Sequence, residues 1–281
     1  MSKSIFRIFS FDEFNRYLRQ TAFRRRITFV QNHHTWRPDY THFNHKAPQY
    51  MTLLENMRHA HIHTRGWQDI GQNITIFPDG MVGLCRALDL TPAGIYGANT
   101  GAICIESLGN FDEGGDQMTP EQKDAIVKTN AALCIKFGLQ PVPHQVVYHH
   151  WYDTKGRRFS PVDIDNGRVL RHNLQKTCPG TNFFRGAGAP RGNTIQSATT
   201  YFYPLITQAM QALQRSPVSP VQPQRKRVTA DKLNVRAGSG ANFRVVRQLF
   251  QGTEVQVFDT ASNWSRISLN AEEWVSTKFI A

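Results

Sequence analysis

Hydrophobic positions along the chain repeat in two different periods, and the change from one to the other marks the predicted elements. Apolar runs at residues 26–31 and 102–106 are short and β-branched, which is typical of buried strands. Apolar positions at helical spacing over residues 50–64 and 119–138 predict two helices. The first strand leads directly into two adjacent histidines, so polar side chains follow where the apolar run ends.

The second of these helices carries start and stop residues. Thr119 is an N-cap residue, Pro120 suits the first helical position, and Gln122 stands where a capping-box glutamine would reach back to the cap. Gly138 is a good C-cap. The sequence therefore predicts a helix with both ends fixed.

The remaining elements complete a mixed α/β domain. A Pro-Asp-Gly turn joins two short strands, which predicts a hairpin. We expect a central mixed sheet flanked by helices. The further predictions are a hairpin at 74–84, a last helix at about 200–213, an irregular insertion at 153–175 and an amphipathic helical extension within residues 1–26.

A proline-rich stretch divides the chain. Prolines 217, 220 and 223 recur at the period of a polyproline II helix, so residues 215–225 read as a semi-rigid linker. It separates a domain at 1–214 from a tail at 226–281. The tail holds five short strand patterns separated by turn residues, which predicts a small all-β barrel.

Charge narrows the class of partner. The formal net charge is +12 and the sequence pI is about 9.8, so the chain favours a polyanion such as nucleic acid, an anionic membrane or a cell wall. Its basic residues are dispersed and form no nucleic-acid motif, and no apolar run is long enough to span a bilayer.

The first residues lack the organisation of a secretory signal peptide. We therefore expect synthesis in the cytoplasm and release by a route other than the general secretory one.

Histidine and cysteine supply the candidate chemistry. Hydrolytic zinc sites use three protein ligands and a water, and both imidazole and thiolate suit zinc. The chain offers His33-His34 after a strand, His149-His150 after another apolar run, and Cys178 in a polar turn. The other cysteines lie in apolar or helical patterns typical of buried thiols. Taken alone, these residues leave open both a metal site and a cysteine nucleophile with a histidine base.

Their order along the chain resembles the type 2 amidase family, which comprises N-acetylmuramoyl-L-alanine amidases, phage amidase lysozymes and peptidoglycan recognition proteins. The resemblance covers roughly residues 27–182. The matching motifs are Phe29-Val-Gln-Asn-His-His-Thr35, Gly66-Trp-Gln-Asp-Ile-Gly71, Ile76-Phe-Pro-Asp-Gly80, Asn99-Thr-Gly-Ala-Ile-Cys-Ile-Glu106, His149 and Lys176-Thr-Cys-Pro-Gly180.

The resemblance implies a cofactor and roles for individual residues. It implies a zinc ion held by His33, His149 and Cys178, with Glu106 as general acid and base and Lys176 stabilising the oxyanion. Substrate contacts are expected from His34, Gln72, Asn99 and His150. Two departures stand out, since many members have a tyrosine where this chain has Gln72, and the segment before Cys178 is longer than in compact relatives.

The tail resembles a bacterial SH3 domain through residues 233–239 and 252–255, Trp264 and Trp274. Together the resemblances imply a monomeric zinc amidase that cuts peptidoglycan between N-acetylmuramic acid and L-alanine, with no nucleic-acid partner and no membrane insertion. A catalytically inactive recognition protein and a cysteine wall peptidase remain the alternatives. Whether the chain acts as a phage lysin, a secreted effector or a housekeeping enzyme is left open by the sequence.

Overall fold

The computed structural model describes residues 6–46, 48–168, 177–215, 223–241, 243–261, 263–268 and 273–281. The chain forms two compact units, Met1–Pro217 and Val218–Ala281. Most of the predicted linker, residues 216–222, lies outside the described residues. None of the helices in the described ranges is both long and apolar enough to cross a membrane.

The first unit contains the elements expected of a mixed α/β domain. The helix that ends at His59 continues into a π-helical turn at Ala60–Thr64, and another π-helical turn at Ala198–Phe202 leads into the helix that begins at Tyr203. In chain order the strands and helices are β1 (Arg7–Phe9), α1 (Phe11–Gln20), β2 (Phe29–His34), α2 (Tyr50–His59), β3 (Ile74–Ile76), β4 (Val82–Leu84), β5 (Ala102–Ser107), α3 (Pro120–Phe137), β6 (Val146–Tyr148), α4 (Pro161–Asp165), α5 (Ile195–Ser197) and α6 (Tyr203–Arg215).

Within the described residues, the strands of this unit form one sheet in the order β1-β4-β3-β5-β2-β6. Strand β2 runs parallel to both β5 and β6, and β3 runs parallel to β5. Strands β3 and β4 form the predicted antiparallel hairpin, with β1 added at its edge. The mixed sheet confirms the predicted fold class.

The two faces of β2 serve different purposes because side chains alternate along a strand. Val30 belongs to the main hydrophobic core, and the Asn32 side chain exchanges two hydrogen bonds with Asn130 of α3 at 3.0 and 2.9 Å. These residues therefore face α3. Gln31 and His33 point to the opposite face, where the functional cleft lies.

The N-terminal segment differs from the predicted amphipathic helix. Ser10 and Glu13 form a capping box, in which the Glu13 carboxylate accepts from the Ser10 backbone N–H at 2.6 Å. The cap starts α1 at Phe11 and leaves residues 7–9 extended. These residues pair with β4, with Ile8 opposite Gly83. The prediction was wrong for residues 7–9 because helical spacing alone does not show where an N-cap residue starts the helix.

Gln122 also departs from its prediction. Thr119 caps α3 as expected, since its hydroxyl accepts from the Gln122 backbone N–H at 3.0 Å. The Gln122 side chain, however, does not reach back to the cap. Its amide nitrogen donates to the carbonyls of Ile76 and Leu108 at 3.0 and 2.9 Å, and its oxygen accepts from the Tyr40 hydroxyl at 2.5 Å. The predicted capping box is replaced by a buried cross-link between α3 and the ends of two strands.

The predicted irregular insertion is partly regular. Ser160 caps the short helix α4, and Ile164 of that helix is fully buried. Residues 169–176 lie outside the described part of the chain.

The second unit is antiparallel. Its strands are β7 (Gln224–Arg227), β8 (Lys232–Arg236), β9 (Val245–Phe250), β10 (Glu254–Val257), β11 (Asp259–Ala261), β12 (Trp264–Arg266) and β13 (Trp274–Ser276). One sheet pairs β10 with β7, and the other has the order β11-β12-β13-β8-β9. Strand β7 begins at Gln224, inside the predicted linker. It was not predicted because Gln-Arg-Lys-Arg lacks the alternation of apolar and polar residues that indicates a strand. Trp274 is buried and Trp264 is half-buried.

Candidate metal centre and its cleft

Parallel strands bring the candidate residues together at one edge of the sheet. The carboxyl ends of neighbouring parallel strands meet at the same edge, which is where α/β folds place their sites. His33 lies near the end of β2, and Glu106 lies beside it in register on β5. His149 follows directly after β6, the other neighbour of β2. Residues more than a hundred positions apart therefore border one cleft.

The predicted ligands converge. One potential ligand atom from each of His33, His149 and Cys178 lies within 4.8 Å of the others. The two imidazole rings have centroids 4.8 Å apart at an interplanar angle of 57°. His33 and Cys178 are buried, whereas His149 is half-buried. Tetrahedral zinc with nitrogen and sulfur ligands at about 2.0–2.3 Å needs ligand atoms roughly 3.5 Å apart, so a small closure would complete the site.

The cysteine turn is held by backbone and side-chain contacts. The His150 N–H donates to the Cys178 carbonyl at 2.7 Å, and the His34 N–H approaches the Cys178 sulfur at 3.4 Å. Asp112 accepts from the Thr177 hydroxyl at 2.8 Å and from the Thr181 N–H at 3.1 Å. The thiol is thus fixed beside the ends of β2 and β6.

The donor set fits zinc. Two imidazoles and one thiol are borderline-soft ligands, and three protein ligands with an open fourth position are typical of catalytic sites. All three residues line a cleft of about 950 Å³.

Glu106 is the carboxylate beside this group. It is half-buried, lines the cleft, and lies in register between His33 on β2 and Thr75 on β3. Cys104 precedes it on the same face of β5. Burial raises the pKa of the Cys104 thiol well above its ordinary value, and the nearby charges of Glu106 and Cys178 raise it further. Cys104 therefore stays protonated although it borders the cleft. Lys176 lies outside the described residues.

The residues predicted to contact substrate occupy different positions. His34 lines the cleft, and its Nδ1 accepts from the Phe111 N–H at 3.1 Å. His150 is fully buried and is not among the described residues that line the cleft.

Gln72 and Asn99 both line the cleft. The buried amide of Gln72 donates to the Thr75 hydroxyl at 3.0 Å, and its oxygen has no hydrogen-bond partner among the described residues. The Asn99 oxygen instead accepts from the backbone N–H groups of Gly94 and Ile95, both at 2.9 Å. Asn99 therefore braces its own loop.

Sequence reasoning did not single out several residues of the cleft. Trp36 is 56% exposed with a φ of 57°, and Tyr96 is 78% exposed. A tryptophan with positive φ is uncommon and strained, and such residues cluster at functional sites. Gln31 is a buried neighbour of the cleft, and its position two residues before His33 on β2 places both side chains on one face of the strand.

The family of N-acetylmuramoyl-L-alanine amidases matches residues 23–181, and the bacterial SH3 domain family matches residues 231–281. No curated protein matches the chain.

Solved structures give weaker likenesses. Drosophila PGRP-LB is 21% identical over 58% of this chain and 79% of its own, with a TM-score of 0.43. N-acetylmuramoyl-L-alanine amidase LysC from Clostridium intestinale is 22% identical over 57% of this chain and 80% of its own, with a TM-score of 0.38. Apis mellifera PGRP-SA is 21% identical over 56% and 78%, with a TM-score of 0.41.

The family match at residues 23–181 covers more than half of the chain and contains all three candidate ligands. On this ground the chain belongs to the N-acetylmuramoyl-L-alanine amidase family, with a bacterial SH3 domain at residues 231–281.

Proposed function

We propose that this chain is a zinc-dependent amidase that hydrolyses the amide between the lactyl group of N-acetylmuramic acid and L-alanine in peptidoglycan. The observation that carries the proposal is the convergence of His33, His149 and Cys178 within 4.8 Å, with Glu106 in register beside His33. A pure recognition protein would not need this group of ligands with a carboxylate beside it.

The chain's own residues would divide the chemistry between them. A bound zinc ion would supply Lewis acidity and lower the pKa of water to about 7. His33, His149 and Cys178 would hold the ion at the base of the cleft. Glu106 would take the proton of the attacking water and pass it to the leaving amine of L-alanine. Lys176 would stabilise the negative charge that develops on the carbonyl oxygen.

The division of labour between the two units is also a proposal. Residues 1–214 would form the catalytic domain, and residues 226–281 would bind the wall, joined by the linker at 215–225. A net charge of +12 favours adsorption to anionic wall polymers. We further propose that the protein acts as a monomer on the bacterial wall.

The deciding experiment measures the release of stem peptides from purified peptidoglycan. Cleavage at the proposed bond exposes new amino groups on L-alanine, which can be labelled and identified by mass spectrometry. We expect release to stop when a chelator removes zinc and to return when zinc is added back.

Matched variants identify the residue roles. Glu106→Gln should abolish release while zinc remains bound, and Glu113→Gln, which changes a carboxylate that is 83% exposed, should leave release unchanged. Cys178→Ala should lose zinc and activity, whereas Cys134→Ala, on the buried face of α3, should lose neither.

Two results would contradict the proposal, each in a different way. Release that survives chelation but is lost in Cys178→Ala would make the protein a cysteine peptidase or amidase. Binding of peptidoglycan by the zinc-loaded protein without any cleavage would make it a recognition protein.

A further inference from the structure

A buried amide links the candidate ligand His33 to the neighbouring loop at residues 93–99. Gln31 is fully buried and lies two residues before His33 on the same face of β2. Its Nε2 donates to the Ala98 carbonyl at 2.7 Å. Its Oε1 lies 3.4 Å from Nε2 of His33, a long but directed contact.

The Ala98 carbonyl determines which way the amide points. A carbonyl oxygen only accepts hydrogen bonds, so the nitrogen of the Gln31 amide must face it. The oxygen of Gln31 is then left facing His33 and can only accept. The contact is therefore favourable when His33 carries its proton on Nε2, and this tautomer leaves the ring's lone pair on Nδ1.

The loop leaves the amide little room to turn away. The Asn99 oxygen accepts from the N–H groups of Gly94 and Ile95, which shapes the loop. A Cβ atom on Gly94 would lie 2.3 Å from Oε1 of Gln31 and 3.2 Å from Nε2 of His33. Only glycine fits at this position without displacing the amide or the ring.

We propose that Gln31 is a positioning residue, which selects the Nε2-protonated tautomer of His33 and orients its ring for metal binding. Metal-binding histidines usually donate their second N–H to an acceptor, and loss of that acceptor typically weakens metal affinity 10- to 100-fold. Because the contact here is long, the lower end of this range is expected. The effect on metal affinity rests on the zinc site of the proposed function, whereas the effect on the tautomer does not.

A pair of variants on one strand separates this role from simple support of the strand. Gln31→Met keeps the side-chain length and removes both polar contacts. Asn32→Leu is the matched control, since it removes buried side-chain hydrogen bonds from the next residue on the opposite face. Zinc affinity of the full chain is measured by competition with a chromogenic chelator, and stability is measured on the metal-free proteins.

We expect Gln31→Met to bind zinc about tenfold more weakly, while Asn32→Leu stays within about twofold of the wild type despite a similar loss of stability. Gly94→Ala should weaken zinc binding as well, because its Cβ would take the space of the Gln31 oxygen. Unchanged zinc affinity in Gln31→Met, or equal weakening in Asn32→Leu, would overturn the inference.

A spectroscopic measurement on the metal-free protein decides the tautomer independently of zinc. Imidazole nitrogen chemical shifts, assigned through His33→Gln and recorded at a pH where the ring is neutral, report which nitrogen carries the proton. We expect the proton on Nε2 in the wild type and a mixture of tautomers in Gln31→Met. A proton on Nδ1 in the wild type, or a tautomer unaffected by the substitution, would refute the role of Gln31 even if the protein proves to be a zinc amidase.

Discussion

Replacing Gln122 by methionine tests the cross-link between α3 and the sheet. The substitution preserves the length and much of the volume of the side chain, so it leaves no large cavity. It removes two hydrogen bonds to the carbonyls of Ile76 and Leu108 and one from the Tyr40 hydroxyl. Leu108 lies two residues beyond Glu106, so the perturbation reaches the end of the strand that carries the proposed acid and base.

The hydrogen bonds that are lost give the expected decrease in the free energy of unfolding. Three hydrogen bonds at about 1 kcal/mol each predict a loss of roughly 3 kcal/mol in the free energy of unfolding. The Ile76 carbonyl also accepts from the Leu108 backbone N–H at 2.9 Å, so it keeps a hydrogen-bond partner when Gln122 is replaced. For a unit of this size, each kcal/mol lowers the melting temperature by about 2–4 °C, which gives a decrease of roughly 6–12 °C.

Differential scanning calorimetry of the full chain measures the transition of the first unit. Lys123→Met is the matched control, because it introduces the same side chain at the exposed neighbouring position and leaves the three hydrogen bonds of Gln122 in place. We expect its melting temperature to stay within about 2 °C of the wild type, as is usual for surface substitutions. If Gln122→Met melts with the control, the three contacts contribute nothing measurable and the cross-link is refuted.

Three further predictions concern the thiols and the cleft. Cys178→Ser should weaken zinc binding and abolish amidase activity, because a hydroxyl is a poor zinc ligand; retained zinc in a dialysed sample would contradict this. Burial raises the pKa of Cys85 and of Cys134 from 9.0 to about 12. At a pH between these two pKa values, each thiol keeps its proton in the folded state and has lost it in the unfolded chain. The free energy of unfolding should therefore fall with rising pH by about 1.4 kcal/mol per unit for each thiol, and alanine variants of both, unfolded in urea from pH 8 to 11, should show a flatter decline. Trp36→Ala should raise KM for peptidoglycan roughly three- to tenfold with little change in kcat, if the exposed ring contacts substrate equally in the ground and transition states; a change in kcat alone would rule this out.

Periodicity predicted most of the regular elements of the first unit. Strands β2 and β5, the β3–β4 hairpin and helices α2, α3 and α6 are found close to their predicted positions, because each carries a continuous apolar pattern. Strands β1 and β7 were missed for opposite reasons. The apolar residues around β1 also fit a helix until Ser10 caps it, and β7 has hardly any apolar residue at all.

The candidate site could be predicted only in part. The spacing of His33, His149 and Cys178 along the chain does not indicate proximity, and the resemblance to the amidase family was needed to bring them together. The roles of Gln31 and Gly94 depend on how a loop packs against a strand, which no local pattern encodes. Gln122 shows the same limit, since a capping-box position and a buried cross-link look identical in sequence.

The hydrogen bond from the His150 N–H to the Cys178 carbonyl has a consequence for how this enzyme can diversify. It joins the chain directly after His149 to Cys178, so the relative positions of these two candidate ligands do not depend on the length of chain between them. Doubling the length of a closed loop adds only about 0.6 kcal/mol of entropic cost. Residues added to the exposed part of the segment between them should therefore leave the positions of His149 and Cys178 unchanged, provided that Ile164, which is buried in the main hydrophobic core, is kept.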